Sequence, residues 1–130
     1  MDLQQRVVLL KKLGVFLLSE DEKWEAVKKK ASHDNAWFIP RFVDYQLQHI
    51  ATEFLSGENL EKWVTRYQIP QRQADPRTVG VIMAGNIPLA GFHDFLSVFI
   101  SGHRQTIKSS SKDMVLIQGI VNTLIEWEPA

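Results

Sequence analysis

The sequence predicts an α/β fold: a helical N-terminal layer followed by the first β-α-β-α of a larger parallel sheet. Three observations carry this. Apolar residues recur at helical spacing through the first half of the chain. A loop with two prolines, Gln68 to Arg77, then breaks the pattern. Beyond it, two short runs read as buried parallel strands on either side of one glycine-bounded helix.

Each element has its own reason. Leu3 to Leu18 carries apolar residues at helical spacing. Ser19 followed by Glu22 has the form of a capping box and opens a second helix from about Asp21 to Ala31. Ala31 to Asn35 reads as a polar break, with Trp37, Phe38 and Ile39 as an apolar anchor ahead of Pro40. A third helix follows from about Pro40 to Leu55, with Phe42, Leu47, Ile50, Ala51, Phe54 and Leu55 as its inner face. Ser56-Gly57 ends it, and a short fourth helix runs to Tyr67.

Val79 to Met83 is apolar and rich in β-branched residues, as expected of a strand covered on both faces. Pro88 suits the first turn of the next helix, Leu89 to Ile100, because the N–H it lacks would be an orphan there. Gly102 closes that helix in the C′ position. His103 to Lys108 is the second strand, and Lys112 to Trp127 the last helix. The division is a helical region, 1–70, and a partial cofactor-binding α/β domain, 77–130. Two strands are few for a stable sheet, so the pattern reads as the front of a longer protein.

Composition narrows the function. The chain has 130 residues, 45% hydrophobic and 23% charged, as in ordinary globular domains. Lys+Arg and Asp+Glu both number 15, so no basic excess points to nucleic acid. There is no cysteine, which excludes a disulfide, a thiolate zinc site and a cysteine nucleophile within these residues. The apolar N-terminus is interrupted by charges and lacks a signal-peptide pattern, so the expectation is a cytoplasmic protein without a membrane span.

The polar residues of interest lie where the two strands end, the edge at which open α/β sheets bind ligands. The first turn is Met83-Ala84-Gly85-Asn86-Ile87-Pro88. Gly85 would let a ligand approach the backbone, and the Asn86 amide would donate to a developing oxyanion. In the bland reading Gly85 makes a tight turn and Asn86 caps the helix. The second is Lys108-Ser109-Ser110-Ser111-Lys112-Asp113. A lysine, serine hydroxyls and a helix N-terminus suit ribose or phosphate. In the bland reading a serine caps the helix, Asp113 complements its dipole and Lys108 is solvated. His93 and Asp94 are adjacent on a helix and do not face each other, so a catalytic dyad is not expected. His33 and His49 have no ligand-spaced partner for a metal, and His103 falls at a helix-to-strand corner. The four tryptophans, without a basic stripe, read as core or interface residues.

The segment V-G-V-I-M-A-G-N-I-P, then S-G-H, then R-Q-T-I-K-S-S-S-K-D resembles the aldehyde dehydrogenase superfamily, with Lys108 22 positions after Asn86. More closely, M-A-G-N-I-P-L-A-G-F-H-D-F with S-G-H-R and K-S-S-S-K-D resembles the acyl-CoA reductase family, which includes the fatty-acid reductase of bacterial bioluminescence. N-A-W-F-I-P and L-E-K-W resemble the same family, and the likeness is weak before Ala31.

The resemblance implies a Rossmann-like cofactor domain and an enzyme that reduces a fatty acyl thioester to an aldehyde with NADPH or NADH. It matches Asn86 to the oxyanion-hole amide and Lys108 to the lysine on the adenosine ribose. It matches Met83, Ala84 and Gly85 to the backbone wall beside the cofactor, with Ser110 in the ribose or phosphate loop. Ser111 falls where many aldehyde dehydrogenases carry a glutamate on the ribose hydroxyls, so NADPH is the expected cofactor. The family's catalytic cysteine is absent here, as is a third cofactor strand. The chain is therefore expected to need a C-terminal part of the same enzyme and to be inactive alone, with homo-oligomerisation left open. The alternatives are a non-catalytic nucleotide-binding or regulatory domain, and a helical interaction module.

Overall fold

A computed structural model describes residues 1–129. The fold is mixed α/β, 59% helical with one two-stranded parallel sheet, so helices carry most of the core.

The helical layer begins with α1, Leu3–Leu17. Asp2 and Gln5 form a reciprocal capping box: each side chain accepts the other's backbone N–H at 2.9 Å. The second helix, α2, spans Glu22–Asp34 and is capped by Asp21, which accepts the Trp24 N–H at 3.1 Å. The expected Ser19 box is therefore replaced. Asp21 offers a charged acceptor closer to the helix, and Ser19 instead donates to the Phe16 carbonyl at 2.7 Å. α2 also outruns its expected end at Ala31, because Asn35 closes it by donating its N–H to the Ala31 carbonyl at 3.1 Å. The third helix, α3, is Pro40–His49, and a π-helical turn, Ile50–Phe54, continues it. The fourth, α4, is Gly57–Arg66, capped by Ser56.

The apolar anchor before α3 is narrower than expected. Phe38 is buried, but Trp37 is 85% exposed and Ile39 and Phe42 are also exposed. The buried stripe of α3 runs Val43, Leu47, Ile50, and Phe42 lies one position off it.

One continuous core joins the helical layer to the α/β unit. Leu10 and Leu13 of α1, Leu47, Ile50 and Leu60 meet Leu96, Ile100, Leu116 and Ile120 there. Each such side chain stabilises the fold by about 1.5–3 kcal/mol on burial. Two side chains also close helix ends inside this core. The Trp24 indole N–H donates to the Leu17 carbonyl at 3.0 Å, satisfying an orphan acceptor at the end of α1. Arg6 does the same for the helix that ends at Ser101, as described below.

In the α/β unit, β1 is Thr78–Ile82 and β2 is Arg104–Lys108. They pair in parallel, with Thr78 opposite Arg104 and Ile82 opposite Lys108. Between them runs α5, Phe92–Ser101, which Gly102 closes at φ 82°, where only glycine is unstrained. After β2 comes α6, Val115–Trp127. Val79, Val81, Gln105 and Ile107 are at least partly buried, and the Gln105 amide donates to the Phe95 carbonyl of α5 at 3.2 Å. Thr78, Gly80, Ile82, Arg104, Thr106 and Lys108 are exposed. The expectation of a strand buried on both faces is thus corrected: among the described residues nothing covers the second face, and Ile82 is 81% exposed. Among the described residues no helix is long and apolar enough to cross a membrane.

Candidate functional site

The register brings the two strand ends level. Ile82 lies beside Lys108, and the Met83 N–H donates to the Lys108 carbonyl at 3.0 Å. Both following loops therefore leave the sheet at one edge. Past this bond the Met83 side chain is buried, Ala84 is exposed and Gly85 meets the other loop. A β-carbon on Gly85 would lie 2.6 Å from Ser110 Cβ, so the approach of Ser110 requires glycine here. The close neighbour that Gly85 admits is thus a side chain of the same protein.

Asn86 is exposed and caps nothing, because α5 starts at Phe92 behind Gly91 and has no side-chain cap. The expectation that Pro88 opens this helix, and the cap reading of Asn86, are both corrected. The cause lies at Leu89, whose φ of 55° is left-handed and incompatible with a right-handed helix starting there. Its N–H donates to the Asp113 carboxylate, Oδ2, at 2.7 Å.

The second loop is a compact turn. The Ser110 carbonyl accepts the Asp113 N–H at 3.1 Å, and Ser110 Oγ accepts the Lys112 N–H at 3.2 Å. Ser111 and Lys108 are exposed. The last helix starts at Val115, behind Met114 and without a side-chain cap. Ser109 to Ser111 therefore do not start a helix, and the anion attraction of a helix N-terminus does not act on them. What remains there is one ammonium at Lys108, a second at Lys112, and hydroxyls. The helical layer also reaches this loop: the Asn35 amide donates to the Lys112 carbonyl at 3.0 Å.

Asp113 ties the two loops together. It is 7% exposed, and its Oδ1 has no hydrogen-bond partner. Burial pushes its carboxyl above the ordinary aspartate range, opposed in part by the Leu89 N–H. In the bland reading it complements the dipole of α6, but it lies before that helix and acts across the loops. No sequence pattern signals this, because the partner is a backbone N–H 24 residues away.

Arg6 is the other polar residue hidden from the sequence reading. It is 4% exposed; Nε donates to the Ile100 carbonyl at 3.2 Å, and a second nitrogen to the Met1 carbonyl at 2.8 Å. The guanidinium closes the C-terminal end of α5, where the dipole favours a cation. A signal was present: position 6 falls on the same helical face as Leu3, Leu10, Leu13 and Leu17.

The histidines are structural in their contacts. His93 stacks on Trp63 at 5.4 Å and 11°. His103 Nδ1 accepts the Arg77 N–H at 3.0 Å, pinning the entrance of β1. A cavity of about 580 Å³ lies between them, lined also by Tyr67 and Gln73. Another, of about 400 Å³, adjoins the candidate site along β2, lined by Ile107, Ser109, Met114 and Ile117.

The structure thus brings Met83, Gly85, Lys108 and Ser110 together, and sets Ala84, Asn86 and Ser111 on the two adjoining loops. The side-chain groups offered are an amide, ammoniums and hydroxyls: hydrogen-bond donors suited to an anionic, hydroxyl-rich ligand. The 130 residues supply no thiol nucleophile. No family model, curated protein or solved structure gave a significant match to the chain.

Proposed function

We propose that this chain is the N-terminal part of an acyl-CoA reductase of the aldehyde dehydrogenase superfamily, holding the nucleotide-binding half of a Rossmann-like cofactor site. In this reading Lys108 and the Ser110-Ser111 hydroxyls bind the adenosine ribose of NADPH, with NADH also possible. Met83, Ala84 and Gly85 form the wall beside the cofactor. Asn86 donates to the oxyanion formed when hydride reaches the acyl group. A cysteine outside these residues carries the acyl group, so the chain alone turns over no fatty acyl thioester.

The observation that supports this most is the level ending of β1 and β2. It puts the loop of Asn86 beside Lys108, the last residue of β2, at the carboxyl edge of a parallel sheet, with both residues exposed. The freedom of Asn86 from any capping duty adds to it. A second reading is favoured by the absence of cysteine: a nucleotide-binding domain without chemistry of its own.

The test is equilibrium binding of NADPH and NADH to the chain, followed by nicotinamide fluorescence. NADPH is expected to bind at least as tightly as NADH, because Lys108, Ser111 and Lys112, all exposed, belong to the segment this reading assigns to the 2′-phosphate. Ser111→Glu should weaken NADPH by roughly tenfold and leave NADH within about twofold, since a carboxylate there repels phosphate and accepts from ribose hydroxyls. A preference for NADH in the unmodified chain, or an unchanged ratio in Ser111→Glu, contradicts the assignment of this loop.

A further inference from the structure

The two halves of the candidate site come from different loops, and their joint geometry has to be held by something. Past the paired strands, the Met83 N–H donates to the Lys108 carbonyl. Beyond it, Ala84 to Gly91 is irregular backbone with a left-handed leucine in the middle. A non-glycine residue at positive φ is strained and persists only when its surroundings fix it. At Leu89 the fixing contact is visible: a buried carboxylate on its N–H at 2.7 Å, the shorter end of the range for such bonds.

That carboxylate belongs to the opposite loop. The Asp113 N–H is itself held by the Ser110 carbonyl, and Ser110 is the residue pressed against Gly85. The chain of contacts is therefore closed: Gly85 against Ser110, Ser110 to Asp113, Asp113 to Leu89. Asn86 lies inside this ring, three residues before Leu89.

We propose that Asp113 is a positioning residue for the candidate site, fixing the Met83–Gly91 turn, and with it the Asn86 amide, against the Ser110 loop. The catalytic consequence rests on the reading of Asn86 given above; the latch itself does not. Burial raises the carboxyl's proton affinity, and the Leu89 N–H opposes this. The latch is thus a single hydrogen bond between a buried acid and one backbone amide. An asparagine can reproduce it, since its side-chain oxygen also accepts, whereas an alanine cannot.

The experiment is amide hydrogen exchange by NMR on the 130-residue chain, on Asp113→Ala and on Asp113→Asn. Leu89 exchange should quicken by on the order of 10- to 100-fold in Asp113→Ala, matching the loss of a hydrogen bond to a charged or strongly polar acceptor. In Asp113→Asn it should stay within a few fold of the unmodified chain. A core amide such as that of Ile120 should keep its protection in both. Unchanged Leu89 exchange in Asp113→Ala, or failure of Asn to restore it, overturns the proposal. Should Asp113→Ala fail to fold, the unmodified chain still decides. On acidification the Leu89 amide proton and the Asp113 carboxyl carbon should shift with one shared midpoint, and separate midpoints overturn the latch. Loss of NADPH binding with the latch intact would count against the nucleotide reading alone.

Discussion

On the proposed reading, replacing Asn86 with alanine in the full-length parent protein is expected to lower kcat about 10²–10³-fold, with little change in KM. The size follows from what an oxyanion donor does. Its hydrogen bond strengthens as the carbonyl oxygen gains charge, so its removal costs roughly 2.7–4 kcal/mol in the transition state and little in the ground state. The structure makes this test sharper than the sequence allowed. Were Asn86 a helix cap, the substitution would cost about 1 kcal/mol of stability. Gly91, not Asn86, stands ahead of α5, so stability should be nearly unchanged. Steady-state kinetics and urea unfolding on the same variant separate the outcomes. A change confined to KM, or a loss of stability with kcat intact, goes against the assigned role.

The largest stability effect is expected at Trp24, far from the candidate site. Trp24→Ala should destabilise the chain by about 3–5 kcal/mol in urea unfolding. The residue is 1% exposed, its ring lies 5.4 Å from that of Phe16, and a β-carbon on Gly119 of α6 would sit 3.4 Å from the indole. It therefore fills the seam between α2 and α6 while its N–H closes α1 on the Leu17 carbonyl. Trp24→Phe keeps most of the volume and loses the hydrogen bond, so it should cost less, about 1–3 kcal/mol. Equal costs for the two variants would mean that packing contributes nothing beyond the bond. A cost below about 1 kcal/mol for alanine would mean that this seam does not hold the helical layer to the α/β unit.

Much of the architecture was legible because it is written in periodicity. The stripe Leu3, Val7, Leu10, Leu13, Leu17 specifies α1, and the change to Val79–Met83 after a proline-bearing loop marks the first strand. Gly102 ends α5 for a reason glycine states by itself, a positive φ. What failed were the starts of the two helices at the candidate site. Pro88 and the serines at 109–111 have the local chemistry of helix starts, yet α5 begins at Phe92, after a left-handed Leu89 bonded to Asp113, and α6 begins at Val115. A contact spanning 24 residues leaves no mark on local pattern. The same holds for Trp37 and Phe42: apolar identity suggested burial, but the register of α3 turns its buried stripe to Val43 and Leu47 instead. Arg6 shows the converse. This cation on the apolar face of α1 closes the end of another helix, a role that position alone does not announce.

The same division runs through the site. That Asn86 and Lys108 belong to one strand-end edge was readable from spacing and from the resemblance to acyl-CoA reductases. That Gly85 makes room for Ser110 required coordinates. So did the retreat of α6 to Val115, which separates the serine loop from the helix N-terminus that the local chemistry suggested.

The central claim is that these two loops form a nicotinamide nucleotide site, and chemical-shift mapping of the 130-residue chain during an NADPH titration tests it most directly. The account predicts saturable shifts concentrated at Ala84, Gly85 and Asn86 on one loop and at Lys108 to Lys112 on the other, weakened by Lys108→Ala. Saturable shifts around His93, His103 and Tyr67 instead, or no saturable shift at millimolar nucleotide, would contradict it.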